Sequence, residues 1–245
     1  ESSQPAAGTQ TELTLRVPGT PALPDEWPAR LLARAARDDI EPGHYLVLDN
    51  PRGTLSGFVF VTDPVLGVVD GPTGLIRFTY AVGINGDDVE QMLSWDPLKF
   101  AAFVGDRVPL GLSSTDRAPI SADPQDRALL DEAVGSEGAS IGAMHARYLE
   151  VDAEGRVDLD PAAARALLRA ARHRLLHGRS FALLNSETWL LLNPQSPTTE
   201  CASDHVVVPA TAEFAHELLA IFDAVPGIYR LRTAPLEFRV VNPAT

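Results

Sequence analysis

The alternation of apolar and polar positions predicts a chain rich in short strands. Leu13, Leu15 and Val17 alternate with polar residues, as in a strand with one buried face. Other short apolar runs are bounded by glycine, proline or asparagine, which is typical of strands joined by turns. On these grounds further strands are predicted at 45–49, 58–62, 67–70, 75–83, 140–151, 180–184, 189–192, 205–208, 228–232 and 236–241.

Several helices have starts that the sequence marks clearly. An aspartate followed by proline supplies an N-cap carboxylate and a residue suited to the first helical position. Three such pairs occur, at Asp96-Pro97, Asp123-Pro124 and Asp160-Pro161, and Gly105, Gly135 and Gly178 are the predicted ends. Helices are also predicted at 26–37 and 212–225. Because strands and helices mix without strict βαβ alternation, the predicted fold class is α+β, with two mixed lobes.

Charge divides the chain into two unequal halves. The formal net charge is −13, with 21 acidic and 10 basic residues up to His145 and 12 and 10 after it. This division supports a boundary between an N-terminal lobe at 11–139 and a C-terminal lobe at 140–245. Residues 1–10, rich in Ser, Gln, Pro, Ala and Gly, are predicted to be a flexible leader. An acidic surface repels nucleic acid and attracts a basic protein, although it also serves solubility alone.

Composition excludes several other classes of protein. No apolar run reaches the roughly 18 residues that a membrane-spanning helix needs. A single cysteine, Cys201, excludes an internal disulfide framework and favours a reducing cytoplasm. The segment 83–86 lacks the third glycine of a nucleotide-binding loop, so we expect no cofactor there.

Two motifs leave an enzyme open as the alternative. Ser140 lies in Gly-x-Ser-x-Gly, the hydrolase elbow, but a predicted helix precedes it and a strand follows, the reverse of the required order. His173 and His177 are four residues apart on a predicted helix, as in a zinc pair. Neighbouring arginines disfavour a dication, and the glutamate of the metalloprotease motif is missing, so we expect no metal.

Arg165, Arg169 and Arg172 share one face of the predicted helix at 161–177. They form either a wall that holds a partner's carboxylate or a solvated face in which Arg165 and Arg169 pair weakly with Asp158 and Asp160.

Six segments, taken in order and at their spacings, resemble the suppressor of fused family, and in particular its compact bacterial branch. They are Glu12–Val17, Glu26–Arg34, Thr62-Asp63-Pro64, Asp70–Phe78, Trp95 within an acidic helix, and Arg172–Phe181 (Arg-His-Arg-Leu-Leu-His-Gly-Arg-Ser-Phe). The resemblance covers nearly the whole chain and implies a protein-binding module rather than an enzyme.

The resemblance also implies a mode of binding and a set of positions. In eukaryotic members an extended peptide of a zinc-finger transcription factor lies between the two halves and adds as a strand, held by aromatic, aliphatic and acidic anchors. The aromatic anchor position falls on Ala35, the aliphatic ones near Ala143 and Ala166, and the acidic one on Gly43 or His44. Three anchors thus become alanine, so the partner must differ.

These observations lead to a hypothesis about the binding residues and the partner. The predicted partner-binding residues are Ala35, His44, Ala143 and Ala166, with Arg169 and Arg172 nearby. Bacterial relatives are thought to include immunity proteins that neutralise toxins, and an acidic surface suits a basic toxin. The partner is then a peptide segment or a basic toxin captured in the cleft between lobes, without nucleic acid or membrane.

Overall fold

The structure, a computed structural model, describes residues 10–19, 26–72 and 74–242. Apart from Gln10, the predicted leader lies outside the described residues. The chain divides into two compact units, Glu1–Asp131 and Glu132–Thr245, eight residues before the boundary predicted from sequence. Each unit contains helices and a mixed sheet, which confirms the predicted α+β class.

The first unit is built on one five-stranded sheet. Its strands are β1 (Thr11–Thr14), β2 (Tyr45–Arg52), β3 (Leu55–Thr62), β4 (Val68–Gly71) and β5 (Gly74–Asn85). They lie in the order β1-β5-β3-β2, with β4 pairing antiparallel to the start of β5. Its helices are α1 (Trp27–Ala35), α2 (Asp88–Ser94) and α3 (Pro97–Gly105), and α4 (Pro124–Glu137) spans the division. A core cluster forms where Ala35 of α1 meets Phe58 and Phe60 of β3 and Ala81 of β5.

The second unit contains two sheets, one of five strands and one of four. Its strands are β6 (Ala143–His145), β7 (Leu149–Val151), β8 (Arg156–Leu159), β9 (Phe181–Leu184), β10 (Trp189–Asn193), β11 (Glu200–Cys201), β12 (His205–Pro209), β13 (Gly227–Arg230) and β14 (Glu237–Val240). The sheet orders are β11-β12-β10-β9-β6 and β13-β14-β8-β7. The helices α5 (Pro161–His173) and α6 (Ala212–Ile221) contribute buried alanine, leucine and phenylalanine side chains to the shared core.

All three predicted Asp-Pro helix starts are present. Asp96 accepts a hydrogen bond from the N–H of Lys99, and Asp160 accepts two from Ala162 and Ala163. Asp123 does the same at α4 through the N–H groups of the first turn. A carboxylate at this position satisfies donors that the helix itself leaves unpaired.

The predicted helix ends are only partly correct. Gly178 has the expected left-handed conformation, with φ 69°, but α4 continues through Gly135 and ends before Gly138, which has φ 68°. Gly105 is the last residue of α3 and has no positive φ. The predicted helix at 161–177 is interrupted because Arg174 leaves helical geometry (φ −131°, ψ −57°), so a separate 3-10 turn covers residues 175–177.

The sequence pattern missed β8, whose four residues alternate charged and buried apolar positions. Among the described helices, none is both long and apolar enough to cross a membrane.

Candidate functional site

The strand β6 ends the five-stranded sheet of the second unit and pairs with β9 on one side only among the described strands. The carbonyl of Gly142 accepts a hydrogen bond from Ala182, and the N–H of Ala146 donates to Leu184. Since backbone groups alternate sides along a strand, the N–H and C=O groups of Ala143 and His145 point away from β9. We call these four backbone groups the open edge.

Side chains along β6 divide between the two faces of the sheet. Met144 packs against the core of the second unit, whereas Ala143 and His145 are exposed on the opposite face. On that face their register partners in β9 are Ala182 and Leu184, both half-buried. A strand added at the open edge would therefore find apolar side chains and an imidazole on this face.

The loop before β6 is held firmly against the end of α5. The N–H of Ala139 donates to the carbonyl of His173 at 2.5 Å. A Cβ at Gly138 would lie 2.5 Å from the same carbonyl and 2.7 Å from the His177 ring, so only glycine fits there. This packing fixes where the open edge begins.

Two arginines converge on the same loop. Arg174 donates from Nε to the carbonyl of Ser180 (2.6 Å) and from Nη1 to that of Ala139 (2.8 Å). Arg179 donates from Nη1 to the same Ala139 carbonyl at 3.2 Å. Burial lowers the pKa of Arg174, and the nearby charge of Arg179 lowers it further. We call Arg174 and Arg179 the arginine pair; no described carboxylate forms a salt bridge with either.

In the first unit, Asp63 is the centre of a buried polar network. Its side chain accepts hydrogen bonds from Thr14 Oγ1 (2.7 Å) and Arg16 Nη2 (2.6 Å), and from the N–H groups of Val65 and Leu66. Burial alone would raise the pKa of Asp63, but these donors outweigh it and lower the pKa to about 2.

The same network supports an apolar groove. The guanidinium of Arg16 lies 4.4 Å from the centre of the Tyr80 ring, and the Tyr80 hydroxyl donates to the carbonyls of Leu110 and Gly111. Leu110 has φ 55°, uncommon outside glycine, and is 68% exposed. The groove measures about 480 Å³ and is lined by residues of β3, β5, α3 and the turn at 110–111.

Two of the predicted binding residues have no accessible side chain. Ala35 is 3% exposed and packs in the core of the first unit, and Ala166 is 1% exposed in the core of the second. His44 is exposed, and its Nδ1 accepts a hydrogen bond from the N–H of Glu41 at 3.2 Å.

The other predicted residues lie in the second unit. Ala143 is exposed on β6, next to the open edge. Arg169 is half-buried and Arg172 exposed on α5. Of the two acids suggested to pair weakly with Arg165 and Arg169, Asp158 binds Arg239 (3.2 Å) and Asp160 caps α5. A binding role for the six residues stays a prediction.

The candidate enzyme residues lie in different structural contexts from those that their motifs require. Ser140 lies in a loop between α4 and β6, so the order is helix–loop–strand rather than the strand–turn–helix of a hydrolase elbow. His173 ends α5 and His177 follows the break, so the two do not share a continuous helix. The described residues contain no group of three His, Cys, Asp or Glu side chains placed to hold a metal ion.

Cys201 is half-buried, and burial followed by the charge of Asp152 raises the pKa of its thiol. A raised pKa leaves little of the thiolate, which is the nucleophilic form.

Sequence reasoning named Ala143 as a candidate binding residue and did not name the arginine pair. Both arginines lie in the run 172–181 on which the resemblance depends, yet no spacing rule indicates that their guanidinium groups meet at Ala139. That arrangement depends on the break at Arg174 and on the loop at 138–142, which only the folded chain reveals.

No family model and no curated protein matches the chain. Its structure is similar to the crystal structure of Drosophila Suppressor of Fused, with a TM-score of 0.69 and 17% identity over 98% of this chain and 79% of that one. A chain of the Sufu-Fu complex matches with a TM-score of 0.43 and 23% identity, over 53% of this chain and 66% of that one, too partial to support an argument. The chain therefore has a suppressor-of-fused-like fold, as the sequence resemblance implied.

Proposed function

We propose that this chain is a non-catalytic protein-binding module that captures an extended segment of its partner by strand addition to β6. The observation that carries the proposal is the open edge, two N–H donors and two carbonyl acceptors that β9 does not use. Unpaired edge groups of this kind are the usual template for β-augmentation.

The fold gives this proposal independent support. The chain has a suppressor-of-fused-like fold, and the sequence resemblance implies a binding mode in which an extended peptide is held as an added strand. Similarity of fold does not carry function by itself, so the argument rests on the open edge. The cleft that the resemblance implies stays a prediction.

The proposed partner is a basic protein, such as a toxin that this chain neutralises as an immunity protein in the cytoplasm. The charge of −13 supports it, because an acidic surface accelerates the approach of a basic partner and disfavours acidic competitors. In this scheme charge provides steering, and the open edge provides main-chain hydrogen bonds.

The test compares two substitutions at one residue. Ala143→Pro removes an N–H that β9 does not use, so we expect an unchanged melting temperature and loss of binding. Ala143→Val keeps that N–H and adds a side chain suited to a strand, so it is the matched control.

The tagged chain is used to capture proteins from lysate of the source cell at low salt, and mass spectrometry identifies those retained. We expect one stoichiometric basic protein with the wild type and with Ala143→Val, and none with Ala143→Pro. Equal retention by the proline variant would remove β6 from the proposal.

A further inference from the structure

We propose that Arg174 and Arg179 form a carboxylate-binding site next to the open edge and that this site holds a carboxylate of the captured segment. The inference rests on the proposed function for its biological ligand, but the site itself is defined by the second unit alone. Carboxylate binding would be a role of the arginine pair that strand addition alone does not require.

The arginine pair leaves most of its N–H donors unused. An arginine carries five N–H donors. Arg174 uses one for Ser180 and one for Ala139, and Arg179 uses one for Ala139. Three N–H groups of Arg174 and four of Arg179 are therefore open to other acceptors, and no described carboxylate takes them.

The two positive charges of the arginine pair lie close together. Two guanidinium groups that share one carbonyl repel each other, and burial and the charge of Arg179 both lower the pKa of Arg174. A single carboxylate placed between them would offset both charges. The planar fork of arginine matches the two oxygens of a carboxylate, which makes bidentate binding the natural mode.

The Arg174 side chain lies beside the start of β6 and is held in place. Arg174 Nη2 lies 3.1 Å from where a Cβ would stand on Gly142, the residue just before β6. Glycine at this position leaves the guanidinium uncovered. Two hydrogen bonds fix the Arg174 side chain, so a ligand there loses little affinity to ordering it. The pair therefore lies at the start of β6, against the residue that precedes Ala143 of the open edge.

The competing explanation is that both arginines only brace the Ala139 carbonyl. Arg174 already does so at 2.8 Å, and the bond from the exposed Arg179 is longer, at 3.2 Å. If Arg179 were only a brace, replacing it would lower stability without affecting any ligand. A carboxylate site makes the opposite prediction.

The first experiment follows the arginine Nε–H signals by NMR. The variants Arg174→Lys and Arg179→Lys assign the two signals. The protein is then titrated with acetate, acetamide or inorganic phosphate at constant ionic strength. We expect a saturable shift of both signals with acetate and none with acetamide. Absence of a saturable shift with acetate would overturn the site, and tighter binding of phosphate than of acetate would overturn its assignment to carboxylates.

The variant Arg179→Gln keeps polarity and removes one charge. We expect it to weaken acetate binding about tenfold, the loss of one charge-assisted hydrogen bond, while the melting temperature stays unchanged. Arg165→Gln, an exposed arginine on α5, is the matched control and should leave acetate binding unchanged. Equal affinity in wild type and Arg179→Gln would refute the site.

The second experiment distinguishes a side-chain carboxylate from a chain terminus. Three short Val/Thr-rich peptides are compared: one with a central Asp and an amidated end, one with Asn and a free C-terminus, and one with Asn and an amidated end. We expect one of the first two to bind about tenfold more tightly than the third, and Arg179→Gln to abolish that ratio. Equal affinities of the three peptides for the wild type would refute carboxylate recognition. If Ala143→Pro binds none of the three peptides, strand addition is still supported.

Discussion

At the scale of single residues, Asp63 shows how a buried charge is stabilised. It is 1% exposed and has four donors, two from side chains and two from the turn that follows it. Buried carboxylates are costly unless they are fully hydrogen-bonded, and here the donors also connect β1 to the turn after β3. The resemblance used Asp63 as part of a motif, but its side-chain partners Thr14 and Arg16 could not be predicted from sequence because they are 49 and 47 residues away.

Asp63 should make stability depend on pH. Its pKa falls from 3.8 to about 2 on folding, so its contribution is fully present above 3.8 and is lost as pH falls through about 2. We expect Asp63→Asn to cost about 2 to 4 kcal/mol at pH 7, and the difference from wild type to narrow by about 2 kcal/mol between pH 5 and pH 2.

Urea unfolding at a series of pH values measures both effects. Asp70→Asn, on the exposed part of β4, controls for the loss of one negative charge. A difference between wild type and Asp63→Asn that stays constant down to pH 2 would contradict the role given to this carboxylate.

Two predicted binding alanines should respond oppositely to a large side chain. Ala143→Trp is expected to change stability by less than about 0.5 kcal/mol, because the side chain is exposed. Ala166→Trp should cost at least about 2 kcal/mol, because it overfills a close-packed core. Denaturant unfolding of both variants checks this, and equal stabilities would mean that Ala166 is not buried. Spacing along α5 could have revealed this burial, since Ala163, Ala166 and Ala170 share its apolar face.

At the scale of elements, helix starts were more predictable than helix ends. A start depends on local chemistry, the Asp-Pro pair, whereas an end depends on what the chain packs against. Gly135 lies within α4 because the helix continues to Glu137, and Gly138 ends it where the loop meets the His173 carbonyl. Likewise α5 stops at His173, and the side chain of the next residue, Arg174, binds two loop carbonyls.

The caps of α5 and α3 should differ in strength. Asp160 accepts bonds from Ala162 and Ala163 at the helix start and also from the N–H of Tyr148. Asp96 accepts a hydrogen bond from the N–H of Lys99 at the start of α3 and is half-buried. We therefore expect Asp160→Ala to cost about 2 to 4 kcal/mol and Asp96→Ala about 1 kcal/mol, measured by urea unfolding. Equal costs would show that the second cap bond and the bond to Tyr148 together contribute nothing.

At the scale of the whole molecule, the fold class and the family resemblance were accessible from sequence, and the arrangement of the candidate site was not. The order of motifs was enough to indicate a suppressor-of-fused-like fold, which the similarity to Drosophila Suppressor of Fused confirms. The open edge depends on which strand ends the sheet, and β6 is only three residues long. Strand order is set by long-range pairing, for which the local pattern carries no signal.

Net charge should affect how fast a partner binds more than how long it stays. With a charge of −13, we expect the association rate of a basic partner to fall at least about tenfold between about 50 and 500 mM salt. The dissociation rate should change little, since main-chain hydrogen bonds at an added strand are only weakly screened. Surface plasmon resonance with the captured partner measures both rates, and a salt effect confined to dissociation would contradict this division of roles.

The central claim is that β6 offers its unused backbone groups to a partner strand, and amide hydrogen exchange along β6 tests it most directly. In the free protein, we predict faster exchange at Ala143 and His145 than at Ala146, whose N–H donates to Leu184. On addition of the captured partner, we predict slower exchange at Ala143 and His145. Protection of these two amides in the free protein, or unchanged exchange in the complex, would contradict the claim.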